Sequence, residues 1–374
     1  MAFNIRTFRK VIFLKVYRAA VALLGELIKM HTLNEKVRND YGFPDVKDTT
    51  ASVSKLRTVS DRVFLQTTCP QVVILLCIYE GKNFLADQLE SIAQQSYKNW
   101  KLYISDDGDC RESIELIKKF KSRYKEEQIV FITGPQKGFV ANFLSLICNK
   151  SIDADYFAFS DQDDIWHKNK LEKSIQCLRE VSKELPSLYC SRTVIVDKND
   201  STIGLSPLFL KTPSFANALV QNIGGGNTMV FNKKLREIAF QAGPNIPAIT
   251  HDWWMYLLVT GCNGFIKYDS EPSLRYRQHG KNLVGCNITW RARFYRIFML
   301  FRGRFKDWND KNITSLQRIY HLLTPANQQL FDDFSKLRNT SFFERLRIFR
   351  ESKIYRQTIF GNLGLWVAIC FRKM

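Results

Sequence analysis

The stretch Tyr156-Phe157-Ala158-Phe159-Ser160-Asp161-Gln162-Asp163-Asp164-Ile165-Trp166 decides how the rest of the sequence is interpreted. Its first five residues are mostly apolar, which is typical of a strand buried on both faces of a sheet. Three carboxylates follow within four positions, and they repel one another unless positive charge lies between them. A divalent cation that holds a diphosphate is the economical explanation. The alternative is a solvated acidic turn that caps the next helix.

Strands and helices alternate from residue 71 onward, and this alternation predicts a doubly wound, mostly parallel α/β sheet. No G-x-G-x-x-G follows the first strand and no G-x-x-x-x-G-K-[ST] occurs, which argues against a dinucleotide fold and a P-loop NTPase. The predicted strands are Val72–Leu76, Lys101–Ser105, Ile129–Thr133, Tyr156–Ser160, Thr228–Phe231 and Leu274–Arg277. The predicted helices are Phe84–Ala93, Ile114–Tyr124, Val140–Ile147, Lys168–Ser182 and one that begins at His251.

Three of the predicted strands are followed by side chains suited to a nucleotide. Tyr79 offers a ring face to a nucleobase, Asp106 and Asp107 can accept hydrogen bonds from a base or a ribose, and Asp161 and Asp163 suit a cation. Each group also has an ordinary interpretation as turn chemistry. Because ligands of open α/β sheets bind beyond the carboxyl ends of the strands, we expect the three groups to meet in one crevice.

Two motifs in the second half suggest the binding of another substrate. Gly224-Gly225-Gly226 predicts a loop that admits a sugar close to backbone amides, or a plain tight turn. In His251-Asp252-Trp253-Trp254, Asp252 is either a first-turn carboxylate favoured by the helix dipole or a general base. One Trp ring is expected to stack on the sugar and the other to lie in the core. His279 is either structural or a phosphate or metal contact.

Taken together, these motifs resemble family 2 glycosyltransferases of the GT-A fold, in particular the bacterial rhamnosyltransferases that build surface polysaccharides. The resemblance runs from Val72 to about Gly285. Two departures concern the base and ribose region: Glu80 stands where the family usually has Asn, and Gly108 is followed by Asp109 rather than Ser. The matching segments are Ile74–Tyr79, Gln88–Ile92, Ser105–Gly108, Gly138 with Asn142-Phe143, Phe159–Trp166, His251–Trp254 and Tyr276–Gly280 with Asn282.

The resemblance implies an inverting transfer of a sugar, expected to be L-rhamnose from dTDP-rhamnose, to a saccharide acceptor that is expected to be lipid-linked. It implies Asp252 as the general base and a divalent cation, Mg²⁺ or Mn²⁺, held by Asp161, Asp163 and His279. The residues implied for the nucleotide-sugar donor are Tyr79, Glu80, Asp106, Asp107, Gly138, Asp161 and Asp163. Those implied for the acceptor are Gly225, Gly226, Trp253 and Trp254.

The net charge of +19 is concentrated at the two ends of the 374-residue chain. Residues 1–40 hold eight Lys and Arg against three Asp and Glu, and residues 289–374 hold seventeen against six. The middle is nearly neutral and contains no recognised nucleic-acid motif, so we expect no nucleic-acid partner. Both ends are rich in aliphatic and aromatic residues, which suits an anionic membrane surface. Helices that pack on the protein's own core would show the same pattern.

Three regions are therefore predicted: an N-terminal amphipathic helix and linker over 1–68, a GT-A catalytic domain over 69–288, and a basic, aromatic-rich helical region over 289–374. Lys15 and Arg18 interrupt the first apolar blocks, and Leu363–Phe371 is too short to span a bilayer, so neither a signal peptide nor a spanning helix is predicted. Nine cysteines without a C-x-x-C pair fit a reducing compartment. We expect a cytoplasmic protein, peripheral at the inner face of the cell membrane.

Two other functions fit the same carboxylates. A nucleotidyltransferase also combines paired carboxylates with a metal, and it would release pyrophosphate instead of a nucleoside diphosphate. An inactive protein that only binds sugar nucleotides would keep the donor motifs. The presence of Asp161, Asp163 and Asp252 together disfavours this second alternative.

Overall fold

The chain is described by a computed structural model over residues 69–278 and 304–374. The predicted N-terminal helix and linker, His279 and the start of the basic C-terminal region lie outside these ranges. In the first range the strands are β1 (Val72–Ile78), β2 (Trp100–Asp106), β3 (Ile129–Thr133), β4 (Tyr156–Ser160), β5 (Ile165–Trp166), β6 (Ser187–Ser191), β7 (Val194–Val196), β8 (Thr202–Leu205), β9 (Val230–Asn232), β10 (Phe265–Asp269) and β11 (Leu274–Arg277). The helices are α1 (Leu85–Ala93), α2 (Arg111–Lys121), α3 (Phe139–Ile147), α4 (Lys170–Leu178), α5 (Phe215–Ala218), α6 (Lys233–Ala242) and α7 (His251–Gly261).

A seven-stranded sheet forms the centre, in the order β10-β6-β9-β4-β1-β2-β3. Neighbouring strands are parallel except at β9, which is antiparallel to both β4 and β6. A smaller sheet has the order β5-β11-β7-β8. The predicted α/β architecture with a mostly parallel sheet is therefore confirmed.

The central sheet is covered on both faces, and this explains why β1 is apolar at every position. Val73, Leu75 and Cys77 contribute to one hydrophobic cluster, together with α3, α6 and α7. The alternate residues of β1 contribute to a second cluster, together with α1, α2 and α4. Because successive side chains of a strand point to opposite faces, both sets must be apolar.

Some element boundaries differ from the predicted ones. Helix α4 is shorter than the predicted Lys168–Ser182, because residues 167–170 first make a turn in which the Lys170 N–H donates to the His167 carbonyl at 3.0 Å. Strand β9 starts later than predicted, since a 3₁₀ turn at Gly226–Thr228 precedes it. In that turn the Thr228 N–H donates to the Gly225 carbonyl at 2.9 Å.

The second described range is helical, as the sequence predicts for this part of the chain. Its helices are α8 (Arg304–Gln317), α9 (Pro325–Lys336), α10 (Phe342–Ser352) and α11 (Ile359–Cys370), with a 3₁₀ turn at Tyr320–Leu322. Leu316, Phe331 and Leu365 lie in the same hydrophobic cluster as α3 and α7. These helices therefore share the core of the sheet domain. Within the described ranges, no helix has the length and apolar character needed to cross a bilayer.

Candidate active site

The three strand ends identified in the sequence meet at one edge of the central sheet. Strands β4, β1 and β2 are adjacent and parallel, with Leu76 opposite Ser160 and Ile78 opposite Asp106. The residues that follow these strands therefore leave the sheet side by side. The crevice beyond the carboxyl ends of the strands is the expected ligand site in such a sheet.

Negative charge is concentrated where β4 ends. The pKa of Asp161 is raised to about 7, first by burial and then by the neighbouring carboxylates of Asp163 and Asp252, while Lys170 acts in the opposite direction. Asp252 comes from α7, more than eighty residues further along the chain. The fold thus brings Asp252 within electrostatic reach of the acidic motif.

These carboxylates suit a divalent cation that is shared with a substrate. Mg²⁺ is commonly held by one or two carboxylates plus substrate phosphates, and Mn²⁺ also accepts oxygen ligands. Asp161 and Asp163 supply two carboxylates. The raised pKa of Asp161 reflects burial first and then repulsion from Asp163 and Asp252, which a cation would relieve. No cluster of three or more His, Cys, Asp or Glu suited to a metal occurs in residues 69–278 or 304–374.

Asp252 lies in the first turn of α7, and two backbone N–H groups orient its carboxylate. Oδ2 accepts from the Gly226 N–H at 3.1 Å, and Oδ1 accepts from the Trp253 N–H at 2.6 Å. The side chain is only partly buried. An oriented, accessible carboxylate of this kind can accept a proton.

Gly226 is required by the packing of His251. A Cβ atom at Gly226 would lie 2.2 Å from His251 Nε2, which no side chain can tolerate. Gly225, in contrast, is exposed. The triple-glycine segment therefore combines a tight turn at Gly226 with an open surface at Gly225. It has features of both predicted roles, the plain turn and the loop that admits a sugar.

The two Trp side chains of the His-Asp-Trp-Trp motif are core residues. Trp253 is 6% exposed and Trp254 is 1% exposed, and the Trp253 indole N–H donates to the Ala218 carbonyl at 2.6 Å. Neither ring presents a face to the crevice, contrary to the expectation that one of them stacks on the acceptor. The reason is that α7 is covered on all sides, since nearly every one of its residues is buried.

On the donor side, Tyr79 and Glu80 form a strained and exposed turn. The Tyr79 ring is 61% exposed, as a base-stacking face must be. Glu80 has φ +49°, in the left-handed region that glycine or Asn adopts more readily. The side chain of Gln162 pairs with the Tyr79 backbone, accepting from its N–H at 2.7 Å and donating to its carbonyl at 2.9 Å. This pairing couples the donor turn to the acidic motif.

Asp106 and Asp107 follow β2, but their carboxylates are engaged by the backbone. Asp107 accepts from the N–H groups of Gln136 and Gly138 at 2.7 and 2.8 Å. Asp106 accepts from the Gly108 N–H at 2.9 Å, and burial raises its pKa. Asp107 therefore shapes the loop before α3, in which Gly138 has φ +87°. The described contacts give Asp107 a structural role in addition to any contact with the donor.

The segment Gln88–Ile92 of α1 was identified in the sequence only through the family resemblance, and its structural role was not predicted. The Gln88 amide, with its oxygen and nitrogen placed to satisfy all neighbours, donates to the Asp164 carbonyl at 2.5 Å and accepts from Ser160 Oγ at 2.7 Å and Trp166 Nε1 at 3.2 Å. Ser91 Oγ accepts from the Trp166 N–H at 3.0 Å. Helix α1 thus holds the acidic segment. Polar residues on the buried face of an amphipathic helix were the available signal.

A second missed group connects the acidic motif to the glycine turn. Asp164 is fully buried, and its Oδ2 accepts from Asn227 Nδ2 at 2.6 Å. Lys170, also buried, donates its ammonium to the Asn227 carbonyl and lies 3.3 Å from the centre of the Trp166 ring. Since Asn227 is next to Gly226, this group links the acidic segment to the turn that orients Asp252. Nothing in the linear spacing of these residues indicates it.

Arg277 also supports the acidic segment. Its backbone N–H donates to Asp164 Oδ1 at 3.4 Å, its Nε donates to the Asp163 carbonyl at 3.2 Å, and its side chain pairs with Asp87 at 2.9 Å. Arg277 is only 3% exposed, and these contacts give it a structural role. His279, two residues further on, lies outside the described residues, so its metal role stays a prediction.

A family model described as glycosyl transferase family 2 matches residues 73–256, which include β1, the acidic motif and Asp252. Residues 73–256 form a glycosyltransferase family 2 domain. This match confirms the family that the sequence motifs suggested. The enzyme class is therefore that of a glycosyltransferase.

Other proteins resemble this glycosyltransferase over different extents. The dTDP-rhamnosyl transferase RfbG of Shigella flexneri is 28% identical over 289 residues, which cover 75% of this chain and 96% of that protein. The bifunctional glycosyltransferase pgtA of Dictyostelium discoideum is 34% identical over 104 residues, which cover 27% of this chain and 13% of that protein. A solved mannosyltransferase from Pyrobaculum calidifontis, PcManGT in complex with GDP-Man and Mn²⁺, gives a TM-score of 0.46 at 10% identity, covering 82% of this chain and 85% of that one.

Proposed function

We propose that this glycosyltransferase moves L-rhamnose from dTDP-rhamnose to a saccharide acceptor, with inversion at the anomeric carbon. The similarity to a dTDP-rhamnosyl transferase along 96% of that protein's length supports the choice of donor. The reaction type rests on one observation above all: Asp163 and Asp252 both act electrostatically on Asp161 at the carboxyl edge of the sheet. One carboxylate is available to accept a proton, and two suit a cation.

In the proposed reaction, the acceptor hydroxyl attacks the anomeric carbon and gives its proton to the Asp252 carboxylate. A new C–O bond forms as the bond from the anomeric carbon to the diphosphate oxygen breaks, and the nucleoside diphosphate leaves with the electron pair. The Gly226 N–H holds the Asp252 carboxylate in position for this transfer. Without a covalent sugar–enzyme intermediate, the single displacement inverts the configuration.

Asp161 and Asp163 would hold Mg²⁺ or Mn²⁺, with His279 as the further ligand that the family resemblance implies. When bound, the cation stabilises the charge that develops on the departing diphosphate. On the donor side, Tyr79 offers its exposed ring to the nucleobase, and the turn at Glu80 borders the same site.

The acceptor is proposed to be a lipid-linked saccharide, and the protein to work as a peripheral enzyme at the cytoplasmic face of the cell membrane. The concentration of positive charge in residues 1–40 and 289–374 supports this proposal. Exposed Phe342, Phe343 and Trp366 on the C-terminal helices also support it, since such residues favour a membrane interface.

A screen of nucleotide sugars tests the proposed function. The purified protein is incubated with each donor, Mg²⁺ or Mn²⁺ and a rhamnose-accepting saccharide, and the released nucleoside diphosphate is measured. We expect dTDP release from dTDP-rhamnose, with a glycosylated product. If nucleoside diphosphate were released only from a different donor, the rhamnosyl assignment would be wrong. Release of pyrophosphate would indicate a nucleotidyltransferase. Donor binding without any release would indicate an inactive sugar-nucleotide-binding protein.

A further inference from the structure

Two segments that are about 150 residues apart in the sequence form one continuous surface. The Lys211 N–H donates to Gln357 Oε1, and Gln357 Nε2 donates back to the Lys211 carbonyl, both at 3.0 Å. The Lys211 ammonium donates to the Arg356 carbonyl at 3.1 Å. These bonds fix the loop after β8 against the connection that leads into α11.

On either side of this junction, large apolar side chains face outward. Phe209 packs inward against Tyr268 at 5.8 Å, so its neighbours Leu208 and Leu210 point away from the core, and Leu210 is 83% exposed. Ile359, just after the junction, is 77% exposed. The docking face is defined here as Leu208, Leu210, Ile359, Phe360 and Trp366.

Helix α11 has the composition of a helix that contacts something apolar on its outer side. None of its twelve residues is charged, although only Leu365, Ala368 and Ile369 among them are buried. Ile359 and Trp366 are seven positions apart, which places them on the same stripe of the helix. A surface helix normally has polar residues on this side. Packing within the protein therefore does not explain the exposed apolar stripe of Ile359 and Trp366.

The charges around the docking face indicate what it contacts. Residues 202–215 and 352–374 contain no Asp or Glu, whereas they hold Lys211, Lys353, Arg356, Arg372 and Lys373. An apolar patch whose own segments carry only positive charges is complementary to an anionic lipid surface, which offers acyl chains beneath negative headgroups. A second copy of this chain would bring the same positive charge to the contact, and like charges would oppose it.

We propose that the docking face inserts into the headgroup region of an anionic bilayer and holds the enzyme there. This inference rests on the proposed location at a membrane and names the part of the molecule responsible. It is independent of the donor sugar. The loop at Leu208–Leu210 was not recognised from the sequence, because it lies outside the two basic ends.

Vesicle flotation with the full chain tests the proposal. Vesicles of phosphatidylcholine, with or without phosphatidylglycerol, are compared at low and high salt. We expect the protein to float with the anionic vesicles at low salt and to be released by high salt. Leu210→Glu and Ile359→Glu should each weaken this binding about 10-fold or more, because each removes an inserted side chain and adds a negative charge.

Leu185→Glu is the matched control, since Leu185 is also exposed but lies before β6, away from the docking face. It should bind vesicles like the wild type. All three variants should release nucleoside diphosphate from the donor at the wild-type rate with a soluble acceptor. This readout separates loss of docking from failure of the proposed transfer reaction.

Trp366 gives a direct measure of insertion. Brominated lipids should quench part of the wild-type tryptophan fluorescence on vesicle binding, and Trp366→Phe should lose that part while still binding. Equal binding by Leu210→Glu, Ile359→Glu and the wild type would overturn the proposal. The proposal would also be overturned if sedimentation showed that the wild type is a dimer and that both variants are monomers, because the docking face would then be an interface between copies.

Discussion

At the scale of single residues, substitution of Asp252 should lower turnover, whereas substitution of Asp163 should also remove metal-dependent donor binding. Asp252→Asn keeps the shape of the side chain and removes its ability to accept a proton. Turnover should fall by ~10² or more, since a positioned base typically contributes 10²–10⁴-fold, while donor affinity should change little. Steady-state kinetics and calorimetric donor binding measure the two quantities. Asp153→Asn, on the surface beside Lys233, is the control and should leave both unchanged.

Asp163→Ala tests the proposed metal ligand. Transfer should be abolished and the metal-dependent part of donor binding lost, because a carboxylate that holds the cation is removed. Circular dichroism should show that the fold survives. If the wild type transferred sugar at full rate in the presence of a chelator, the assignment of Asp163 to a cation would be wrong.

His251 should make the folded state sensitive to acid. It is buried between Phe143 and Phe159 without a described hydrogen-bond partner, and burial lowers its pKa to about 4. The unfolded chain, with a His pKa near 6.5, binds the proton more readily between these values, so stability falls as the pH falls from about 6.5 to about 4.

A His251→Gln variant isolates this effect. The wild type should lose up to about 3 kcal/mol relative to the variant over that range, measured as the free energy of unfolding in urea at each pH. The comparison with the variant is needed because Asp161 has the opposite effect on stability. Its raised pKa stabilises the fold as the pH falls. If the difference in the free energy of unfolding between the wild type and the variant were the same at every pH, His251 would not titrate in this way.

At the scale of elements, α1 acts as the support of the acidic segment. Gln88→Ala leaves the Trp166 indole N–H and the Asp164 carbonyl without their partner in the interior, and leaves Ser160 Oγ with its bond to the Asp161 carbonyl at 3.2 Å. We expect a loss of about 1–3 kcal/mol in the free energy of unfolding, the usual cost of unpaired buried groups. The KM for the donor should also rise as the carboxylates lose their fixed position. Gln94→Ala, at the exposed end of the same helix, should change neither.

At the scale of the whole molecule, Arg345 joins the C-terminal helices to one another. It is 2% exposed, and its guanidinium donates to the carbonyls of Leu337 and Ile369 at 3.0 Å and of Thr340 at 2.9 Å. Arg345→Met should therefore cost about 3 kcal/mol or more, because several buried carbonyls lose their donor. Thermal unfolding followed by circular dichroism measures this cost.

Arg347 provides the comparison on the same helix. It is exposed, and within the described part of the chain it forms an ion pair with Glu344 alone, so Arg347→Met should leave the unfolding midpoint close to that of the wild type. If both variants unfolded alike, the C-terminal helices would not depend on the buried guanidinium. Because these helices share the core of the sheet domain, a loss at Arg345 should also lower the stability of the active site.

The sequence by itself determined five of the seven strands of the central sheet, whereas β6 and β10 were not predicted. Strand β4 at Tyr156–Ser160 and the start of α7 at His251 were predicted where they occur. Hydrophobic periodicity and turn residues are local properties, so they can be recognised in a linear chain. The closeness of Tyr79 to the acidic motif, which the structure shows in its backbone hydrogen bonds with Gln162, also followed, because parallel strands place their carboxyl ends at one edge.

Only the tertiary structure decided which side chains face the crevice and which support it. Trp253 and Trp254 are adjacent to Asp252 in the sequence, yet both rings are buried because α7 is covered on every side. The contact of Asn227 with Asp164, across sixty-three residues, and the junction of Lys211 with Gln357 depend on long-range packing. Hydrophobicity sets whether a residue is buried, but the neighbour it finds there depends on how distant elements pack together.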